Sequence, residues 1–217
     1  MNQKHPGIND RKKLASAIIK VLEKKYPAPE CALKHENPWQ LLVATILSAQ
    51  CTDKRVNMVT PELFKRFATI EDFAEASQEE LEDQIRSTGF FRNKAKNIIA
   101  CARALIENFK GKIPQTLAEL TSLPGVGRKT GSVLLGTAFG KAEGIVVDTH
   151  VTRLSQRMGL SDNSDAEKIE QDLMKIIDRK YWIAFSHMLI LHGRERCPAR
   201  KPDCDNCELK AVCPKLL

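Results

Sequence analysis

Four of the seven cysteines lie within 17 residues, spaced Cys197-x6-Cys204-x2-Cys207-x5-Cys213. Thiolates this close can all reach one metal centre. Structural zinc sites generally use two short Cys-x2-4-Cys knuckles set apart. Here one short knuckle stands beside two wider gaps, which suit the larger iron–sulfur cubane better. Spacing alone leaves zinc and iron–sulfur both open. A disulfide framework is the weaker explanation: seven is odd, and the polar, charged stretch Met1–Lys13 lacks the apolar run of a secretory signal. Arg194, Arg196, Arg200 and Lys201 surround the first gap. They either offer cations to a phosphate backbone or simply sit beside an anionic metal–thiolate site.

A second constellation is the run Leu123-Pro124-Gly125-Val126-Gly127-Arg128-Lys129-Thr130. A short helix starting at a Thr116 cap must end before Pro124. A second helix is expected from near Arg128 to about Phe139. Gly125 and Gly127 between them permit positive φ and leave backbone N–H groups uncovered. Amides at the start of the following helix can bind a phosphate without reading sequence. The alternative is an αα-hairpin whose glycines serve tight packing only. A P-loop does not fit, because Arg128 separates Gly127 from Lys129 and no strand precedes. A Rossmann fingerprint fails because Gly131 comes one residue late.

Lys129 falls in the first turn of that second helix. The positive helix terminus, the adjacent Arg128 and any burial all disfavour its ammonium form. A neutral lysine amine is a nucleophile and can form a Schiff base with a sugar carbon. Phosphate contact is the plainer role for a lysine beside such a turn, and the residue types alone favour it. Asp148, in Val146-Val147-Asp148-Thr149-His150, precedes an expected helix. It suits an N-cap, a place from which it can also face a site.

The elements that must position these groups read as about ten helices with short connections, an all-α chain. Leu14, Ile18, Val21 and Leu22 share one helical face, as do Ile98, Ala102, Leu105, Ile106 and Phe109, and Ile169, Leu173, Ile176 and Ile177. Asn37-Pro38 opens a helix with proline at its first position. Ser77 with Glu80, Thr116 with Glu119 and Ser164 with Glu167 read as capping boxes. Gly89, Gly111 and Gly193 read as C-terminal stops. Gly144–Val147 is the lone strand candidate. His187 and His192 are off the spacing of a helical metal pair and are expected to be structural.

The formal net charge of +7 and pI near 9.0 suit a polyanionic partner. The most apolar stretch, Trp39–Ala49, is too short for a membrane span. A cytoplasmic protein without membrane association is expected.

Together the motifs resemble the bacterial endonuclease III family, the helix–hairpin–helix DNA glycosylases that carry a [4Fe-4S] cluster. The resemblance rests on Leu-Pro-Gly-Val-Gly-Arg-Lys-Thr (123–130), Val-Asp-Thr-His (147–150), the 6-2-5 cysteine spacing, Leu47-Ser48-Ala49-Gln50-Cys51-Thr52-Asp53 and Leu191-His192-Gly193-Arg194. It runs from about residue 10 to 215. It implies two helical domains flanking a DNA-binding cleft: residues 31–141 as a helical barrel with the hairpin, and residues 1–30 plus 142–217 holding the cluster on Cys197, Cys204, Cys207 and Cys213. Lys129 matches the family nucleophile and Asp148 its catalytic aspartate. Gln50 matches the side chain that fills the gap left by an expelled nucleotide, and Phe90 lies where an apolar wedge enters the opposite strand. Gly125, Gly127, Arg128, Arg194, Arg200 and Lys201 are the implied backbone contacts. Phe replaces the more usual Leu at 90, Cys51 stands where Ala is common, and one extra residue lies within 141–144. The implied activity is a monomeric, bifunctional DNA glycosylase and AP lyase. It removes oxidised pyrimidines from double-stranded DNA and cleaves 3′ of the abasic site by β-elimination.

The related adenine glycosylases carry a glutamate in the segment matching Gln40–Gln50. None stands here, no long C-terminal extension follows the cysteines, and Lys129 also argues against that activity. A rival of another class is a non-catalytic damage-binding protein that keeps the hairpin and a structural metal cluster.

Overall fold

The computed structural model describes residues 7–216, so Leu217 and the Met1–Pro6 part of the polar N-terminal stretch lie outside it. Among the described residues the regular elements are all helical. They are α1 (Ile8–Lys25), α2 (Pro38–Leu47), α3 (Asp53–Arg66), α4 (Ile70–Glu75), α5 (Gln78–Ile85), α6 (Phe91–Phe109), α7 (Leu117–Thr121), α8 (Arg128–Phe139), α9 (Thr149–Arg157), α10 (Ala166–Ile176) and α11 (Trp182–Glu195). Short 3-10 turns at Arg86–Thr88 and Arg179–Tyr181 precede α6 and α11. The strand candidate Gly144–Val147 is irregular chain. Ile145 and Val147 are buried among helices, where an extended segment finds no strand to pair with.

The chain forms two compact units. One is Cys31–Lys141, with α2–α8; the other joins the N-terminal segment through Glu30 to the chain from Ala142 onward, with α1 and α9–α11. In the first, every residue of α2 from Trp39 to Leu47 is buried, so this helix is apolar all round because it is surrounded. α6 buries Ala95, Ile98, Ile99, Cys101, Ala102 and Leu105 against α4 and α5, while Ile106 lies exposed. In the second unit, Ala15, Ile18, Ile19 and Leu22 of α1 join Ile169, Leu173, Phe185, Met188 and Leu189 in a separate core.

The helix starts follow local chemistry with some corrections. Asn37 caps α2 ahead of Pro38. Ser77 caps α5 by accepting from the Glu80 amide, but Glu80 does not reach back; it pairs with Arg66. At Thr116 the box closes between side chains, with Oγ1 2.6 Å from Glu119 Oε2. The expected Ser164 box is replaced by a cap at Asp165, which accepts from Lys168 N. A reciprocal box does form at Thr69 and Asp72. Gly193 is no helix stop: it lies inside α11, where a Cβ would meet His150 Cδ2 at 3.0 Å and Arg153 Nη2 at 3.1 Å. Its role is the close approach of α9 to α11.

Candidate active site

The hairpin forms as the glycine run implies, with α7 and α8 packed together. Its glycines divide the work. Gly125 has φ +76°, and a Cβ there would lie 2.8 Å from Asn97 Cβ, so this position serves both the turn and packing on α6. Gly127, expected to use positive φ as well, instead has φ −85° and ψ 174°, an N-cap conformation open to any residue. A Cβ on Gly127 would meet nothing within 4 Å. What glycine leaves there is an uncovered helix N-terminus whose amides no side chain caps, the arrangement that receives an anion. Gly131 allows Leu117 to approach, its missing Cβ lying 2.9 Å from Leu117 Cδ1. Lys129, the second residue of α8, is exposed, as is Arg128. Burial is therefore not among the influences on the Lys129 amine.

Asp148 belongs to the other unit and caps α9. Its Oδ1 accepts from His150 N at 2.9 Å and Val151 N at 2.8 Å, and its Oδ2 lies 3.1 Å from His150 Nδ1. The carboxylate is held by the amides of one helix terminus and by an imidazole, with its side chain 17% exposed.

Gln50 and Phe90 are exposed, and both adopt the left-handed backbone region, at φ 52° and 49°. A phenylalanine 63% exposed in a strained backbone is costly to keep without a use.

The four clustered cysteines, far less regular in local structure, line one cavity of about 360 Å³ of atom-free space including its mouth. Among the described residues no group of three or more His, Cys, Asp or Glu is set to hold a single ion; the thiols share a cavity rather than one tight shell. Burial pushes the Cys207 and Cys213 thiols up, and mutual repulsion among the cysteines adds to this. A cationic metal group would reverse that preference.

Three residues that spacing did not single out complete this region. Arg157 of α9 donates to Cys197 Sγ at 3.4 Å and to the carbonyls of Pro198 and Ala199. Arg153 donates to Cys197 O at 3.0 Å. His192, read from sequence as structural, is buried with Nε2 3.5 Å from Cys207 Sγ. The two arginines carry a usable signal, since they stand four apart on one helix face. Of the cations around the first gap, Arg196 is turned inward, pairing with Asp203 and Glu208. Arg194, Arg200 and Lys201 are exposed. A donor set of four cysteines with an arginine on one sulfur fits an anionic metal–thiolate cluster.

Comparison with known proteins places these features in one family. Residues 43–179 match the HhH-GPD superfamily of base excision DNA repair proteins. An endonuclease III from Synechocystis is 52% identical over 204 residues, covering 94% of this chain and 93% of the relative. The solved structure of a non-covalent endonuclease III–DNA complex superposes with TM-score 0.88 at 43% identity, covering 94% of this chain and 95% of that one. A trapped endonuclease III–DNA covalent intermediate does so with TM-score 0.88 at 42% identity, covering 94% and 96%. The hairpin, the helical architecture and these likenesses over nearly the whole length make this chain a member of the HhH-GPD superfamily and, within it, of the endonuclease III family.

Proposed function

We propose that this chain removes oxidised pyrimidines from duplex DNA and cleaves the resulting abasic site, with Lys129 as the nucleophile of both steps. Its family makes it a base excision repair enzyme of the glycosylase and AP lyase type, and a relative has been trapped covalently on DNA. The observation that carries the assignment to Lys129 is its placement: an exposed amine two residues past the open N-terminus at Gly127. A phosphate seated on those amides brings the deoxyribose chain within reach of that turn.

The target base is inaccessible inside the duplex and must be flipped out. Gln50 and Phe90 fill the space it leaves, Phe90 acting as an apolar wedge. The Lys129 amine attacks C1′ and the base departs with the glycosidic electron pair. The C1′–O4′ bond then opens, with O4′ taking a proton, and the open-chain iminium so formed loses a C2′ proton, so that β-elimination expels the 3′ phosphate. Asp148 stabilises the positive charge that develops on the sugar or carries the proton. Cys197, Cys204, Cys207 and Cys213 would hold a [4Fe-4S] cluster, which when bound orders their loop and takes no part in bond breaking. Arg194, Arg200 and Lys201 on that loop contact phosphates.

The test is incubation with duplexes bearing thymine glycol, an abasic site or undamaged thymine. Base release and strand scission on the first, scission on the second and neither on the third are expected. Binding to the damaged duplex without base release would leave only the damage-binding role.

A further inference from the structure

Lys94 is 5% exposed, inside α6, and no step above uses it. Its Nζ donates to Leu47 O at 2.8 Å and to Thr88 O at 2.9 Å. Leu47 is the last residue of α2, and Thr88 ends the 3-10 turn before α6. Helix-terminal carbonyls of this kind lack intrahelical partners and carry partial negative charge. One ammonium therefore caps two helix ends that lie 41 positions apart in the sequence. Three residues past the first cap stands Gln50, and two past the second stands Phe90, both in left-handed backbone. The chain closes on α6 again through Lys94 N, which donates to Phe90 O at 3.1 Å. Burial lowers the affinity of this amine for its proton, while Cys51 nearby raises it. The two carbonyls supply what the buried cation needs, and a buried cation is a costly way to join two loops unless their position matters.

We propose that Lys94 is a positioning residue for strand opening: it fixes the roots of Gln50 and Phe90 so that both side chains enter the duplex together. The proposal rests on the reading of Gln50 and Phe90 as gap-filling side chains. A lysine retained only for packing would matter equally for every substrate. A lysine that positions the two tips matters only where an opposite strand has to be held open.

The experiment uses the full protein with its cluster and compares K94M with the unaltered chain on an abasic site in duplex and in single-stranded DNA. Methionine keeps the unbranched apolar stem and removes the donors. Duplex cleavage is expected to fall by about tenfold or more, the loss of a charge-assisted anchor. Single-strand cleavage should stay within about twofold. F90A and Q50A each lower duplex cleavage in the native background, and their effect shrinks when combined with K94M, since deletion of an already unanchored tip costs less. If K94M melts at a much lower temperature, K94Q, which keeps an N–H donor but no charge, replaces it: duplex cleavage should still fall while single-strand cleavage is spared, and equal losses on both overturn the proposal. Equal losses of K94M on both substrates, or full additivity with F90A and Q50A, overturn the proposal for Lys94 alone. Unchanged duplex cleavage by F90A and Q50A in the native background overturns it together with the gap-filling reading.

Discussion

Replacing Asp148 with Asn keeps the oxygen that caps α9, because Asn is about as good an N-cap as Asp. The D148N variant is therefore expected to melt close to the native temperature, while base release falls by about a hundredfold or more, as when a proton-transfer or charge-stabilising group is lost. Thermal unfolding beside a base-release assay separates the two tasks; a parallel drop in both would mean that the residue serves α9 alone. At this scale residue type and short-range spacing marked Lys129, Asp148 and the four cysteines as candidates, while the catalytic roles proposed for the first two came from the family resemblance. The sequence did not disclose Lys94, Arg157 or His192. Their partners lie far along the chain, Lys94 at Leu47 and Arg157 at Cys197, 47 and 40 positions away; the four-residue spacing of Arg153 and Arg157 marks a shared helix face but not the partner it meets.

The hairpin gives opposite expectations for two glycines that look alike in sequence. G125A forces a left-handed backbone and meets Asn97 at 2.8 Å, so it should destabilise the fold by about 1–2 kcal/mol or more. G127A meets nothing and sits at φ −85°; it should leave the melting temperature unchanged or slightly raised yet weaken DNA binding, because its methyl covers the amides. Melting curves and binding isotherms on abasic duplex check the pair. In the cysteine loop, R157A removes donors to Cys197 Sγ, Pro198 O and Ala199 O. With the proposed [4Fe-4S] cluster bound, it is expected to lower the iron recovered per chain, measured by iron assay. Helix existence and the α7–α8 hairpin were legible because periodicity, Pro124 and the glycines act locally. The Ser164 cap and the Gly193 stop were misread for the converse reason: Asp165 competes as a neighbouring cap, and Gly193 answers to α9 rather than to its own helix.

Across the molecule, the charge of +7 makes DNA affinity salt-dependent, each neutralised phosphate contributing about 0.9 to the slope of log affinity against log salt. Replacing Arg200 and Lys201 by Ala should reduce that slope by about 2 if each contacts one phosphate; an unchanged slope would place these cations away from DNA. That α1 shares a core with α9–α11 was not legible from its own residues, since an apolar helical face announces burial but not its partner. The family resemblance carried that information instead. Borohydride reduction of the protein mixed with an abasic duplex should give a covalent protein–DNA species whose attachment maps to Lys129, while Lys129→Gln gives none and still binds the duplex. A trapped species that persists in that variant, or none from the unaltered chain, would contradict the central claim.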